Sequence, residues 1–289
     1  MSAGPPFPPL HTWRPLLEWA LAEDLGPGDA TTPLVVPAGL EGQAVIEARQ
    51  PLVVCGLWLA AAVFEAVDPC ITFAAESRDG ERLSPGEPMA RIFGSLRSLL
   101  AAERTALNFL GRLCGVATFT RRFVDAIAGT GCTLVDTRKT LPGWRSLDKY
   151  ATAVGGAANH RMGLYDGILL KDNHVAAAGG TALAVKAALA GANPNLRVQV
   201  EVESEAEALA AIEAGADSLL LDNRSPDELR RIVARIGGRA LLEASGGVTL
   251  ENVRLLAGTG VQRISVGALT HSAPAADISM ELSPGGAGL

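Results

Sequence analysis

The hydrophobic pattern changes character part-way along the chain. Up to about residue 95 it is mixed. Residues 15–23 carry apolar positions at helical spacing, turn-forming residues crowd 26–33, and residues 43–47, 52–55 and 88–93 have the content of strands. From 96 to about 128 the spacing is helical again, with Gly115 as the point where a break is expected. Beyond Cys132 the texture becomes repetitive. Short apolar runs at 133–136, 167–170, 198–202, 218–221, 240–244 and 263–266 alternate with helical stretches. Such alternation predicts β/α units around a parallel sheet.

Helix-start signals support that reading. Ser204 with Glu207 and Ser225 with Glu228 have capping-box spacing, Pro226 suits a first helical position, and Thr249 is placed to cap a third helix. These starts lie 21 and 24 residues apart, about one short β/α unit. Six such strands are fewer than the eight of a complete barrel. Pattern alone therefore allows an incomplete barrel or an open doubly wound sheet.

In a parallel barrel the reactive groups collect at the carboxyl ends of the strands. Read that way, the six ends bring Thr137, Arg138 and Lys139; Lys171, Asp172 and His174; Glu201 and Glu203; Asp222 and Asn223; Ser245, Gly246 and Gly247; and Gly267 and Ala268. All six are polar or glycine-rich. Loops are polar anyway, but six in register are harder to attribute to solvent exposure. Ser-Gly-Gly alone is a common turn; before a helix it can also cradle a phosphate, with Gly267 as a second contact. Arg138, Lys139, Arg161 and Lys171 suit a polyanionic ligand, unless they are paired with Asp136, Asp148, Asp166 and Asp172. Glu201 and Asp222 end neighbouring strands and could hold ribose hydroxyls, a metal, or the cations themselves. His160 and His271 are candidate ligand donors. On the 96–111 helix, Glu103 interrupts a stripe of Leu96, Leu99, Leu100, Leu107 and Leu110. Arg104 at its edge is either Glu103's partner or reaches a ligand or another subunit.

Composition sharpens this picture. The chain is 48% hydrophobic and 19% charged, which is globular composition. Its net charge of −6 argues against general nucleic-acid or anionic-membrane binding. Between Thr137 and His174, however, six basic residues face three acidic ones, so that window is +3 and the remainder −9. Three of the four lysines (Lys139, Lys149, Lys171, Lys186) fall inside it. Lys149 and Lys186 read as surface charges. Cys55, Cys70, Cys114 and Cys132 show neither disulfide-framework nor zinc spacing, and read as buried free thiols of a cytoplasmic protein. The proline-rich first nine residues do not read as a signal peptide, and no apolar run approaches the roughly 18–20 residues of a membrane span.

Several segments together resemble the quinolinate phosphoribosyltransferase family. They are Glu103-Arg-Thr-Ala-Leu-Asn-Phe-Leu110; Asp136-Thr-Arg-Lys-Thr140 with Pro142-Gly143 and Arg145; Asn159-His-Arg161 with Gly163-Leu-Tyr-Asp166; and Leu170-Lys-Asp-Asn-His174. The series continues with Leu221-Asp-Asn223, Glu243-Ala-Ser-Gly-Gly-Val248 and Ile264-Ser-Val-Gly-Ala-Leu-Thr-His271, and Glu23-Asp-Leu-Gly26, Gly28-Asp29 and Thr31-Thr32 match near the start. Leu141, Trp144 and Ala157 depart from the family pattern without removing a charge.

The resemblance implies an N-terminal α/β sandwich over residues 1–110, an incomplete six-stranded parallel α/β barrel over 111–271, and a tail, 272–289, returning to the first domain. It implies the joining of quinolinate to phosphoribosyl pyrophosphate, with release of pyrophosphate and carbon dioxide. Arg104 (from the partner in a homodimer or higher homo-oligomer), Arg138, His160, Arg161 and Lys171 would then bind quinolinate. Lys139, Lys171 and Mg²⁺ would meet the departing pyrophosphate. Glu201 and Asp222 would hold the ribose, directly or through Mg²⁺. Ser245, Gly246, Gly247, Val266, Gly267 and Ala268 would cradle the 5′-phosphate, with His271 near the phosphoribosyl group, and Thr137 would be a further substrate-binding residue. Phosphoribosyltransferases for nicotinate, and homologues associated with molybdate transport, share the donor and differ in acceptor. A non-catalytic binding module is the third class.

Overall fold

A computed structural model describes residues 5–191 and 193–284. In chain order its elements are α1 Leu10–Leu25, α2 Thr32–Val35, β1 Glu41–Ala48, β2 Leu52–Val53, α3 Leu57–Val67, β3 Thr72–Ala75, β4 Arg82–Leu83, β5 Pro88–Ser95 and α4 Leu96–Ala126. There follow β6 Thr133–Val135, α5 Arg145–Val154, β7 Ile168–Leu170, α6 Asp172–Ala177, α7 Thr181–Gly191, β8 Val198–Val202, α8 Glu205–Glu213, β9 Ser218–Asp222 and α9 Pro226–Ile236. The last are β10 Leu241–Ser245, α10 Val253–Ala257, β11 Arg263–Ser265, α11 Ala268–His271 and β12 Ile278–Pro284. Two compact units emerge. One runs up to Arg121 and takes in Leu141–Gly156 and the chain from Ser272; the other is Arg122–Thr140 with Ala157–His271. The resemblance implies boundaries at 110/111 and 271/272, whereas these units are interleaved in sequence.

The first unit is built on an antiparallel sheet of order β12-β1-β5-β3. β1 alternates in burial, which turns Ala44, Ile46 and Ala48 inward. They share a core with Leu59, Val63 and Phe64 of α3 and Leu99, Phe109 and Leu110 of α4. α5 joins that core through Leu147, Tyr150 and Ala151. α3 is apolar on nearly every face, so no helical period marks it in the sequence.

Several local expectations are corrected here. α1 begins at Leu10, not at Pro15, because Thr12 anchors the start on the Pro9 carbonyl and Trp13 packs at 5.1 Å on Trp58. Pro15 is accommodated inside the helix. α4 runs through Gly115 unbroken. That glycine is there for close packing: a Cβ would overlap the carbonyl of Pro274 and lie 3.0 Å from Ala275 Cα. Next to it, Ala276 N–H donates to the Gly111 carbonyl at 2.8 Å. Cys55 and Cys114 are buried free thiols, but Cys70 is exposed and Cys132 only partly covered. Lys149 is 1% exposed and not a surface charge, while Lys186 is exposed.

In the second unit six parallel strands take the order β6-β11-β10-β9-β8-β7. β6 and β7 stand at the two ends of that order, which makes the barrel incomplete. Ala158 forms a parallel bridge to Val135 beside β6. The capping box at Ser225 is complete: Ser225 Oγ accepts from Glu228 N–H and Glu228 Oε2 accepts from Ser225 N–H at 2.8 Å. At Ser204 it is half formed, since Glu207 Oε2 accepts from Glu203 N–H instead. Thr249 does not cap α10. The N-cap is Asn252, whose Oδ1 accepts from Thr249 N–H, because a turn intervenes before the helix.

Candidate active site

A cavity of about 640 Å³ opens at the carboxyl ends of the six strands, entirely within the second unit. β6 delivers Thr137, Arg138 and Lys139 to its wall, the segment after Ala158 delivers His160 and Arg161, and β7 delivers Lys171. Glu201 and Asp222 enter from β8 and β9. Ser245, Gly246 and Gly247 follow β10; Val266, Gly267, Ala268 and His271 follow β11. Parallel order explains the gathering, because it puts every strand's C-terminus on the same edge. Arg104 does not line the cavity. It lies on α4 in the first unit, 64% exposed, with Nη2 3.9 Å from Glu103 Oε1.

Local contacts fix the loops that carry the cations. Lys139 N–H donates to Thr137 Oγ1 at 3.0 Å, and the Lys139 carbonyl accepts from Thr270 Oγ1 at 2.8 Å, which ties this loop to α11. Gly267 closes the arrangement, since a Cβ there would come 3.0 Å from Lys139 Cδ and 3.2 Å from His271 Nε2. Arg161 Nη1 donates to the Gly167 carbonyl at 3.0 Å. Burial and the neighbouring Arg138 lower the Arg161 pKa, with Asp166 opposing them. Lys171 Nζ sits 4.0 Å from Glu201 Oε2. Burial raises the Glu201 pKa against the pull of Lys171, and Asp222 raises it further. All four aspartates weighed as counter-ions serve other groups as well: Asp136 accepts from Asn159 Nδ2 and His160 N–H, Arg112 makes 3.0 and 2.8 Å hydrogen bonds to Asp148, Asp166 accepts the N–H groups of Met162 and Gly163, and Asp172 accepts from Asn173 N–H. Glu203 is exposed and outside the cavity.

The structure adds two residues that the strand-end reading passes over. His160 Nδ1 accepts from Arg161 N–H at 2.7 Å, which assigns the ring proton to Nε2. Nε2 then faces Gln199 Oε1 at 3.0 Å and Glu243 Oε1 at 3.5 Å. Gln199 Nε2 in turn donates to Glu243 Oε2 at 3.2 Å. Both ring nitrogens of His160 are therefore engaged by protein groups. Glu243 and Gln199 are buried, and Glu243 also lines the cavity. Glu243 shows in the sequence as a charge inside the apolar run 240–244, whereas Gln199 shares its strand with Glu201 and carries no such signal. Among the described residues no group of three or more His, Cys, Asp or Glu side chains is placed to hold a metal. Glu201 and Asp222 offer two carboxylates, the number with which Mg²⁺ is commonly held when substrate phosphates supply the other oxygens.

Two family models match the chain, the quinolinate phosphoribosyl transferase N-terminal domain over residues 29–114 and the C-terminal domain over 116–281. The chain belongs to the quinolinate phosphoribosyltransferase family. It is 44% identical over 275 residues to the nicotinate-nucleotide pyrophosphorylase (carboxylating) of Mycobacterium leprae, covering 93% of this chain and 96% of that one. A probable enzyme of the same name from Bacillus subtilis is 40% identical over 270 residues, 93% of each chain. The solved nicotinate-nucleotide pyrophosphorylase of Francisella tularensis superposes with a TM-score of 0.92 at 35% identity, covering 98% of this chain and all of the other. The departures from the family pattern leave the cavity wall untouched. Trp144 packs at 5.1 Å against Phe109, Leu141 is exposed, and Ala157 is buried.

Proposed function

We propose that this protein joins quinolinate to phosphoribosyl pyrophosphate, releasing pyrophosphate and carbon dioxide and forming nicotinate mononucleotide for NAD biosynthesis. One observation carries the reading: a single cavity holds four cations (Arg138, Lys139, Arg161, Lys171), two strand-end carboxylates and two glycine-bearing loops. Quinolinate has two adjacent carboxylates, and planar guanidinium groups suit them. Arg138 and Arg161 would orient the ring so that its nitrogen meets the anomeric carbon. Glu201 and Asp222 would hold the ribose hydroxyls and stabilise positive charge developing on the sugar. Lys139 and Lys171 would neutralise the departing pyrophosphate. Ser245–Gly247 and the Gly267 turn would cradle the 5′-phosphate. The alkylated ring is cationic and accepts the electron pair released as the adjacent carboxylate leaves as carbon dioxide; that ring carbon then takes a proton. No nucleophilic side chain is needed, so positioning and electrostatics bear the catalysis.

Mg²⁺ fits the donor set, with Glu201 and Asp222 as its protein ligands, and when bound would supply positive charge to the phosphate oxygens. His160 acts in this reading through Arg161, whose backbone it fixes. Arg104, exposed on α4, would complete the acceptor site of a second copy in a homodimer. A cytoplasmic location agrees with four free cysteines. No helix among the described residues is long and apolar enough to cross a membrane.

The test is incubation with phosphoribosyl pyrophosphate, Mg²⁺ and either quinolinate or nicotinate, with pyrophosphate and carbon dioxide both measured. Equal release of the two products from quinolinate is expected. Turnover of nicotinate alone would refute the acceptor assignment, and ligand binding without carbon dioxide release would refute catalysis.

A further inference from the structure

Asn223 is the one non-glycine residue with positive φ among the described residues, at 51°. Asparagine tolerates that region better than most side chains, but it remains uncommon and points to a local demand. Three contacts define the demand. Asn223 N–H donates to the Ser245 carbonyl at 2.8 Å. Its Nδ2 donates to Asp222 Oδ2 at 2.7 Å. Its Oδ1 lies so near Gly246 that a Cβ on that residue would overlap it, and the same Cβ would be 2.9 Å from Asn223 N. Gly246 itself has φ of 90°, a conformation that also favours glycine.

We propose that Asn223 is a positioning residue for the phosphoribosyl donor, fixing the Asp222 carboxylate and the Ser245–Gly247 loop at one mutual spacing. In the proposed function, on which this inference rests, these two groups meet the ribose and the 5′-phosphate of the same molecule. Covalent geometry sets the distance between those parts, so the protein groups must match it before binding. Asp222 is only partly buried, and its carboxylate has rotamers to lose when a ligand arrives. The amide of Asn223 removes that freedom in advance from one carboxylate oxygen. The left-handed backbone is what lets one residue point its amide back to Asp222 while its N–H reaches the next strand's end. These contacts of Asn223 all go to Asp222, Ser245 and Gly246, on the donor side of the cavity.

Two variants separate positioning from turn formation. Asn223→Gly keeps the positive φ and deletes the amide. Asn223→Asp keeps the size and turn preference but puts a second carboxylate beside Asp222. Donor binding is measured by calorimetry with phosphoribosyl pyrophosphate and Mg²⁺ in the absence of acceptor, then both KM values by steady-state assay. Both variants should weaken donor binding roughly tenfold or more, the loss expected for a hydrogen bond to a charged group, with acceptor KM within about twofold. Donor affinity in Asn223→Gly within about twofold of wild type would overturn the proposal, as would equal weakening of both substrates. Because donor binding decides the matter, a wild-type protein that binds donor yet fails to turn over quinolinate defeats the acceptor reading alone. A wild-type protein that does not bind the donor defeats both.

Discussion

Arg138 illustrates how much a single side chain is asked to do. It is a cation crowded by another, and burial with Arg138 beside it makes Arg161 less willing to stay charged. In the proposed function a dianionic acceptor would relieve that repulsion, and both guanidinium groups would gain most from a planar, bidentate ligand. Arg138→Lys should therefore raise the KM for quinolinate about tenfold or more while changing the KM for phosphoribosyl pyrophosphate far less. Equal effects in steady-state kinetics would contradict the carboxylate role. Glu201 gives a pH prediction. Burial raises its pKa above the ordinary 4.5, opposed by Lys171 and reinforced by Asp222. Its protonated form thus favours the folded free protein, a contribution present below the unfolded pKa and lost as pH rises through the folded one. In the proposed function, catalysis needs the carboxylate. The kcat/KM profile should fall on the acid side with an apparent pKa above 4.5, and a limb centred at or below that value would show that Glu201 is not the controlling group.

Elements with their instructions close at hand are the ones legible in the chain. The complete capping box at Ser225 uses partners three residues apart, so the start of α9 can be read from four letters. Ser225→Ala removes the acceptor for Glu228 N–H and should cost about 1 kcal/mol, seen as a fall of about 2–4 °C in the thermal midpoint. No change in calorimetry would mean that water replaces the cap at no cost. α10 is the counter-example: its turn and the Asn252 cap displace the start from the site that Thr249 suggests. The unbroken α4 is another. Gly115 has the propensity of a breaker, but the chain returning at Pro274 and Ala275 needs the space, and packing outweighs propensity.

For the whole molecule, net charge is the least informative number and its distribution the most. The +3 window spans both units, and its six cations divide accordingly: four line the cavity, while Arg145 and Lys149 lie on α5 in the first unit. The proposed function also requires more than one copy of the chain. Arg104→Ala and Lys171→Ala should each be inactive alone, and mixed heterodimers should regain partial activity, since one of their two sites would carry neither change. Verified heterodimers with no activity would refute the shared site. By itself, the sequence determined the six parallel strands, the chemistry at their ends and the family, because short apolar runs, local caps, strand-end residues and family motifs are written in neighbouring positions. Only the tertiary structure decided that Asp148 pairs with Arg112, that Lys149 is buried, and that Gln199 and Glu243 stand behind His160. It also decided that Asn223 links two strand ends. Leaving aside the adjacent Asp222, those partners lie 22 to 83 residues apart along the chain, from Asn223 and Ser245 to His160 and Glu243. A side chain's hydrogen bonds depend on which strands become neighbours, and strand order is a property of the folded sheet.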